Sequence, residues 1–223
     1  MSHPSPDDSF AAELRGFGVW GLLALLAIVA ATVFFGSVSA LLVIAWAWRS
    51  HTPWRELGFR RPQSWGRTLI VAMLLGVAFK LLMKAVVMPL LGAPALNPRY
   101  QYLAGNPLAL PFALYVVIFA GFGEETVYRG YLFERLGTLL GAGPVARVTT
   151  LVLTTALFAL AHLSDQGVAG AEQAAMTGLA FGLAYSATKS LVPVIVAHAA
   201  FDLTAVALIY WRLEGAVAHT VFR

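Results

Sequence analysis

Thirty-three consecutive residues, 16–48, carry no charged side chain. As a single helix they would reach about 50 Å, against a bilayer hydrocarbon core of about 30 Å. Further uncharged stretches occupy 100–123 and 173–188. Only 12% of the chain is charged and 59% is hydrophobic, whereas a soluble domain is roughly a quarter charged. A water-soluble globule is thereby excluded, and the chain reads as an all-α, polytopic transmembrane helix bundle. One long tilted helix over 16–48 is the favoured arrangement, with a break at Gly36 and Ser37 as the alternative.

Further spans are expected at about 68–91, 107–127, 146–163, 171–187 and 191–211, which makes about six, or seven if 16–48 forms two. The segments divide into a polar N-terminal tail (1–15), N-terminal spans with a basic loop (16–104), a core (105–211) and a C-terminal tail (212–223). Residues 49–67 hold Arg49, Arg55, Arg60, Arg61 and Arg67 with Pro53 and Pro62, as expected of an interfacial loop. With six alternating spans, Arg129, Arg135, Arg147 and Lys189 join that side, while Arg15, Arg99, Arg212 and Arg223 face the other. The bias puts the 49–67 and 129–147 loops in the cytoplasm and both termini outside. The fifth span has small residues at Ala174, Gly178, Gly182 and Ser186, a face that another helix backbone can approach closely, and it is expected to be central.

The formal net charge of +4 sits in loops beside hydrophobic spans, so anionic lipid headgroups are the expected partner and nucleic acid is not. The N-terminal charges Asp7, Asp8, Glu13 and Arg15 do not resemble a secretory leader, so the first apolar segment is expected to be retained. With no cysteine, any metal would be held by His and carboxylates.

Ionisable groups within a span cost about 2.5 to 3.5 kcal/mol each on insertion scales, so each calls for a partner or a function. Here they are Glu124, Glu125 and Arg129 in the third span, His162 at the end of the fourth, His198 and Asp202 in the sixth, and Lys80 and Lys84 in the second. Glu125 and Arg129 are four residues apart and can pair. Glu124 is turned about 100° from Glu125, so its partner must come from another helix or from water. A desolvated carboxylate without a fixed cation is the setting of a general base working near neutral pH. His198 and Asp202 are one turn apart, close enough for the carboxylate to orient the imidazole. Each pair alone could simply tie helices together. Two His, two Glu and one Asp on three spans exceed what packing requires, and convergence on one polar site is the economical reading. Lys80 and Lys84 share a helical face, where they snorkel outward or pair across the bundle; the alternative is a contact with a substrate's terminal carboxylate.

The ordered motifs Glu-Glu-x-x-x-Arg (124–129), Phe-x-x-x-His (158–162) and His-x-x-x-Asp (198–202) resemble those of the CPBP, or Abi, family of intramembrane proteases. That family includes CAAX prenyl endopeptidases and lysostaphin-resistance-like bacterial proteins. The resemblance covers about 105–210, and Trp54 to Pro62 is similar to the family's preceding loop. It implies an integral membrane endopeptidase, in a bacterial plasma membrane, acting on a membrane-anchored peptide or protein that is prenylated or plain. By motif position, Glu124 would take a proton from water held beside His162, Glu125 and Arg129 would support the helix, and His198 would stabilise the oxyanion. Asp202 stands where the prenyl endopeptidases have Asn. An ionised Asp cannot donate to an oxyanion, so it must be protonated, orient His198 or bind a metal. Glu124, His162 and His198 could also form a zinc site, so both metalloprotease and glutamic-type chemistry stay open, although no His-Glu-x-x-His is present.

Two other classes compete. Intramembrane Glu, His, Asp and Lys could form the relay of an ion-coupled transporter, against which stands the absence of an inverted repeat. A noncatalytic scaffold or immunity protein could carry the same residues.

Overall fold

A computed structural model describes residues 6–222, and among them every regular element is helical. Residues 1–5 of the expected N-terminal tail and Arg223 lie outside the described residues. The rest of that tail is helix α1, Pro6–Arg15. It is followed by α2, Val19–Phe35, and α3, Ser39–Arg49. The longer elements are α4, Trp65–Leu90, α5, Leu110–Leu140, α6, Pro144–Thr188, and α7, Leu191–Tyr210. A short α8, Glu214–Ala218, closes the chain. The helices α4 to α7 are long and apolar enough to cross a membrane, and the bent pair of α1 and α2 makes a fifth candidate. Large apolar side chains cover their outer faces, with Leu74, Phe112 and Leu160 all exposed, as expected where lipid tails are the solvent.

The 16–48 segment is not one helix. It breaks at Gly36, whose φ of 51° and ψ of −126° suit a residue without Cβ. After a short 3-10 turn, α3 runs back toward the start of α2. At 11 residues it measures only about 16 Å, too short to cross alone. The turn at 36–38 therefore ends inside the bundle, where Ser37 lies against Gly123 of α5. The reversal also places α1 at the same end as the basic loop. Arg15 pairs with Glu56, Arg49 approaches Asp7 at 3.9 Å, and the Arg135 guanidinium donates to the carbonyls of Arg15 and Gly16 at 2.7 Å. The expectation that the N-terminus lies opposite the basic loop is thus corrected, because it depended on an unbroken first helix. Arg129 and Arg135 are buried in the bundle rather than exposed in a loop, since α5 stays helical through 127–140.

The spans expected at 146–163 and 171–187 form one helical run that turns at Gly167 (φ 67°, ψ −167°), a conformation essentially confined to glycine. The two arms pair antiparallel, with Leu151 over Gly182, and Thr155 and Phe158 over Gly178. The stripe of small residues is this seam. The more deeply buried helix, however, is α7, because glycines on two neighbours admit its backbone: Gly76 of α4 packs on Ala197 and Ala200, and Gly121 of α5 on Ala199. Two π turns interrupt the long helices, at Met83–Val87 in α4 and Thr126–Tyr131 in α5. Such turns are frequent at functional sites.

Candidate active site

The turn of α7 lying between α4 and α5 carries His198 and Asp202. Glu124 and Glu125 close the α-helical part of α5, and Arg129 lies in the π turn that follows. The Nδ1–H of His198 donates to Glu125 Oε1 at 2.6 Å. The same oxygen accepts from Arg129 Nη1 at 2.9 Å, and Arg129 Nη2 reaches the Gly178 carbonyl at 3.0 Å. The guanidinium carbon stands 4.8 Å over the Phe158 ring, a cation–π contact. Glu125, Arg129 and His198 are all buried, so these bonds are made where an unpaired charge would be most costly.

The other imidazole nitrogen faces two carboxylates. His198 Nε2 is 3.7 Å from Glu124 Oε2 and 3.5 Å from Asp202 Oδ2. Both carboxylates are partly exposed, with side-chain values of 20% and 26%, while Glu125 is sealed. The expected Glu125–Arg129 pair is present, and Glu124 meets its partner on another helix. The orienting bond to the imidazole nevertheless comes from Glu125 at Nδ1, whereas Asp202 sits at Nε2. With Nδ1–H donating to Glu125, the ring carries at Nε2 either a lone pair or a second N–H, and only the second can donate to an oxyanion.

These groups border a cavity of about 1270 Å³, which Glu124, His162, His198, Asp202 and Lys80 help to line. His162 is fixed through Nδ1–H to the Phe158 carbonyl at 2.8 Å and packs edge-on against the Phe158 ring at 4.6 Å. One side of the cavity consists of Phe112, Tyr115, Val116 and Phe119 of α5, which are also exposed on the outer face of that helix. Also in the lining, Arg99 joins Asp165 Oδ2 at 2.6 Å, strapping the 98–103 turn to the tip of the α6 hairpin. Beside it, burial holds the Tyr100 phenol above its ordinary range, partly offset by the Arg99 guanidinium.

Three contacts beside the site escape sequence reading. Gln173 accepts from Lys80 at 2.9 Å, Glu214 pairs with Lys84 at 3.0 Å, and Arg99 joins Asp165. Lys84 thus pairs across the bundle as expected, whereas Lys80 points inward instead of snorkelling. Among the described residues no group of three or more His, Asp or Glu side chains is arranged to hold a metal ion. Glu124, His162 and His198 therefore do not fit a zinc ligand set in this geometry.

Residues 106–204 match the family model described as type II CAAX prenyl endopeptidase Rce1-like. No curated protein and no solved structure gives a significant match to the chain. The matched segment runs from the start of α5 to the His198–Asp202 turn of α7 and so contains all three motifs. This integral membrane chain thus carries, over residues 106–204, a domain that matches the CAAX protease family.

Proposed function

We propose that the protein hydrolyses a peptide bond of a membrane-associated substrate by direct attack of water activated by Glu124. The observation that carries this reading is the 3.7 Å gap between Glu124 Oε2 and His198 Nε2 at the wall of a large cavity. The separation is long for a direct hydrogen bond, yet suited to groups that share a third partner. Glu124 takes a proton from water as its oxygen bonds to the scissile carbonyl carbon. The carbonyl oxygen becomes an oxyanion and accepts from His198 Nε2–H, an interaction able to supply about 3 to 4 kcal/mol. Collapse of the tetrahedral intermediate breaks the C–N bond, and Glu124 returns its proton to the leaving amine. One carboxylate and one amine result.

In this reading His198 works as an imidazolium, held by Glu125 at Nδ1 and balanced at Nε2 by Asp202. Glu125 and Arg129 are positioning residues, and His162 holds the attacking water beside Glu124. No step passes through a metal. A peptide already in the bilayer reaches the site past the exposed α5 face of Phe112, Tyr115 and Phe119, and this supports a membrane-anchored substrate, prenylated or plain. The loop arginines Arg55, Arg60, Arg61 and Arg67 would contact anionic headgroups of a plasma membrane.

The test is mass-spectrometric detection of products from a panel of prenylated and plain membrane peptides in proteoliposomes, with proton flux followed in parallel. New fragments without substrate-dependent flux are expected. Flux without fragments would replace hydrolysis by transport.

A further inference from the structure

The cavity and the exposed basic residues lie at opposite ends of the bundle. Residues that line the cavity lie at or beyond Lys80 on α4, at or before Glu124 on α5, within 158–177 on α6, and at or beyond His198 on α7. These are the halves nearest the 93–103 connector, the tip of the α6 hairpin and α8. The N–H of Gly105 donates to the Tyr210 carbonyl at 2.9 Å, and Glu214 meets Lys84 at 3.0 Å, which ties those parts together. Toward the other end the bundle is filled. Leu57, Glu125, Arg129, Leu191 and Val194 are all buried, and the Leu191 N–H donates to the Gly58 carbonyl at 2.8 Å, closing the start of α7 beneath the basic loop. On α6, about 27 Å of helix separates His162 from Pro144, but only about 8 Å from the turn at Gly167.

The filled end bears the cations. Arg55, Arg60, Arg61, Arg67, Arg147 and Lys189 are exposed there, and the reversal at Gly36 adds Arg15. Partial burial, with Arg147 and Arg60 close by, holds the Lys189 ammonium below its ordinary range, so the basic loop and both ends of α6 share one surface. At the cavity end, the exposed Lys and Arg among the described residues are Arg99, which pairs with Asp165, and Arg212. Short loops rich in Lys and Arg stay in the cytoplasm, and acidic residues count for little in that bias.

We propose that the cavity opens on the extracytoplasmic side, and that the substrate is a membrane peptide or protein segment already translocated, cut in the outer half of the bilayer. The orientation stands on charge and packing alone, whereas the substrate rests on the endopeptidase reading above. The exposed α5 face of Phe112, Tyr115 and Phe119 belongs to the same half of the bundle. An apolar anchor in the outer leaflet therefore reaches Glu124 without crossing the filled end.

The chain has no cysteine, so a single introduced cysteine reports its own side of the membrane. Leu108→Cys, at a residue 91% exposed beside the cavity end, and Arg61→Cys, in the basic loop, are treated with a membrane-impermeant maleimide in intact and permeabilised cells. Leu108→Cys should label in intact cells and Arg61→Cys only after permeabilisation. Labelling of Arg61→Cys in intact cells, or of Leu108→Cys only after permeabilisation, overturns the orientation. A single-span peptide, its cleavable segment next to a charged head that does not cross the bilayer, is then added to sealed right-side-out and sealed inverted vesicles from the same cells. Only fragments that are missing with Glu124→Gln are counted. Right-side-out vesicles should release them, and inverted vesicles should do so only once detergent opens them. Cleavage by sealed inverted vesicles overturns the substrate assignment. No fragments from either, even in detergent, would remove the endopeptidase reading and the substrate with it, while the labelling still decides the orientation.

Discussion

His198 donates from Nδ1 to Glu125 at 2.6 Å, so the imidazole is fixed by the second glutamate of the Glu-Glu pair while its Nε2 faces the first. Neighbouring carboxylates thereby acquire different work: one is sealed against Arg129, the other opens on the cavity. Replacing Glu125 by Gln keeps a carbonyl acceptor but removes the charge that holds the ring. Its kcat should fall by about 10- to 100-fold with little change in KM, the pattern of an interaction used in the transition state. Steady-state kinetics on one cleaved peptide checks this, and a change confined to KM would contradict it.

Arg129 joins Glu125, the Gly178 carbonyl and the Phe158 face in one contact set. Arg129→Met strands the Glu125 carboxylate in the bundle, and breaking a buried pair in this way costs about 3 to 5 kcal/mol. Arg129→Lys should recover only part of it, since an ammonium cannot reproduce the guanidinium fork. Thermal unfolding in detergent should show both losses in that order. Unchanged stability of the Met variant would show that the pair is dispensable.

Gly123 lets the 36–38 turn approach α5 beside Glu124. A Cβ there would stand 2.5 Å from Ser37, so Gly123→Ala should displace that turn and lower both stability and turnover, by about 1 to 3 kcal/mol in stability. Adding Ser37→Gly to the Gly123→Ala variant should restore part of the loss by removing one of the clashing atoms. No change in either quantity would mean that the turn tolerates movement.

Much of the site is legible in the sequence for an energetic reason. Charged and imidazole groups stand out in uncharged spans because the bilayer penalises them, so Glu124, Glu125, Arg129, His198 and Asp202 can be found without a structure. Which atoms meet is not legible. The spacing of His198 and Asp202 suggests that Asp202 orients the ring, but the bond at Nδ1 comes from Glu125 across the bundle. Gln173 is a neutral amide beside a stripe of small residues and gives no signal of its tie to Lys80. The break at Gly36 is visible only as an option, because hydropathy is uniform on both sides of it and the decision rests on Ser37 packing against Gly123. That single turn also determines the end of the bundle to which α1 belongs.

The central claim is that Glu124 is the base that activates water. Purified wild type and Glu124→Gln, measured side by side on a peptide that the wild type cleaves, test it most directly. Gln keeps the shape of the side chain but cannot accept the proton, so kcat/KM should fall by about 10² to 10⁴, the contribution of a general base, while thermal stability stays at the wild-type value or above. Wild-type turnover by a well-folded Glu124→Gln variant would contradict the account.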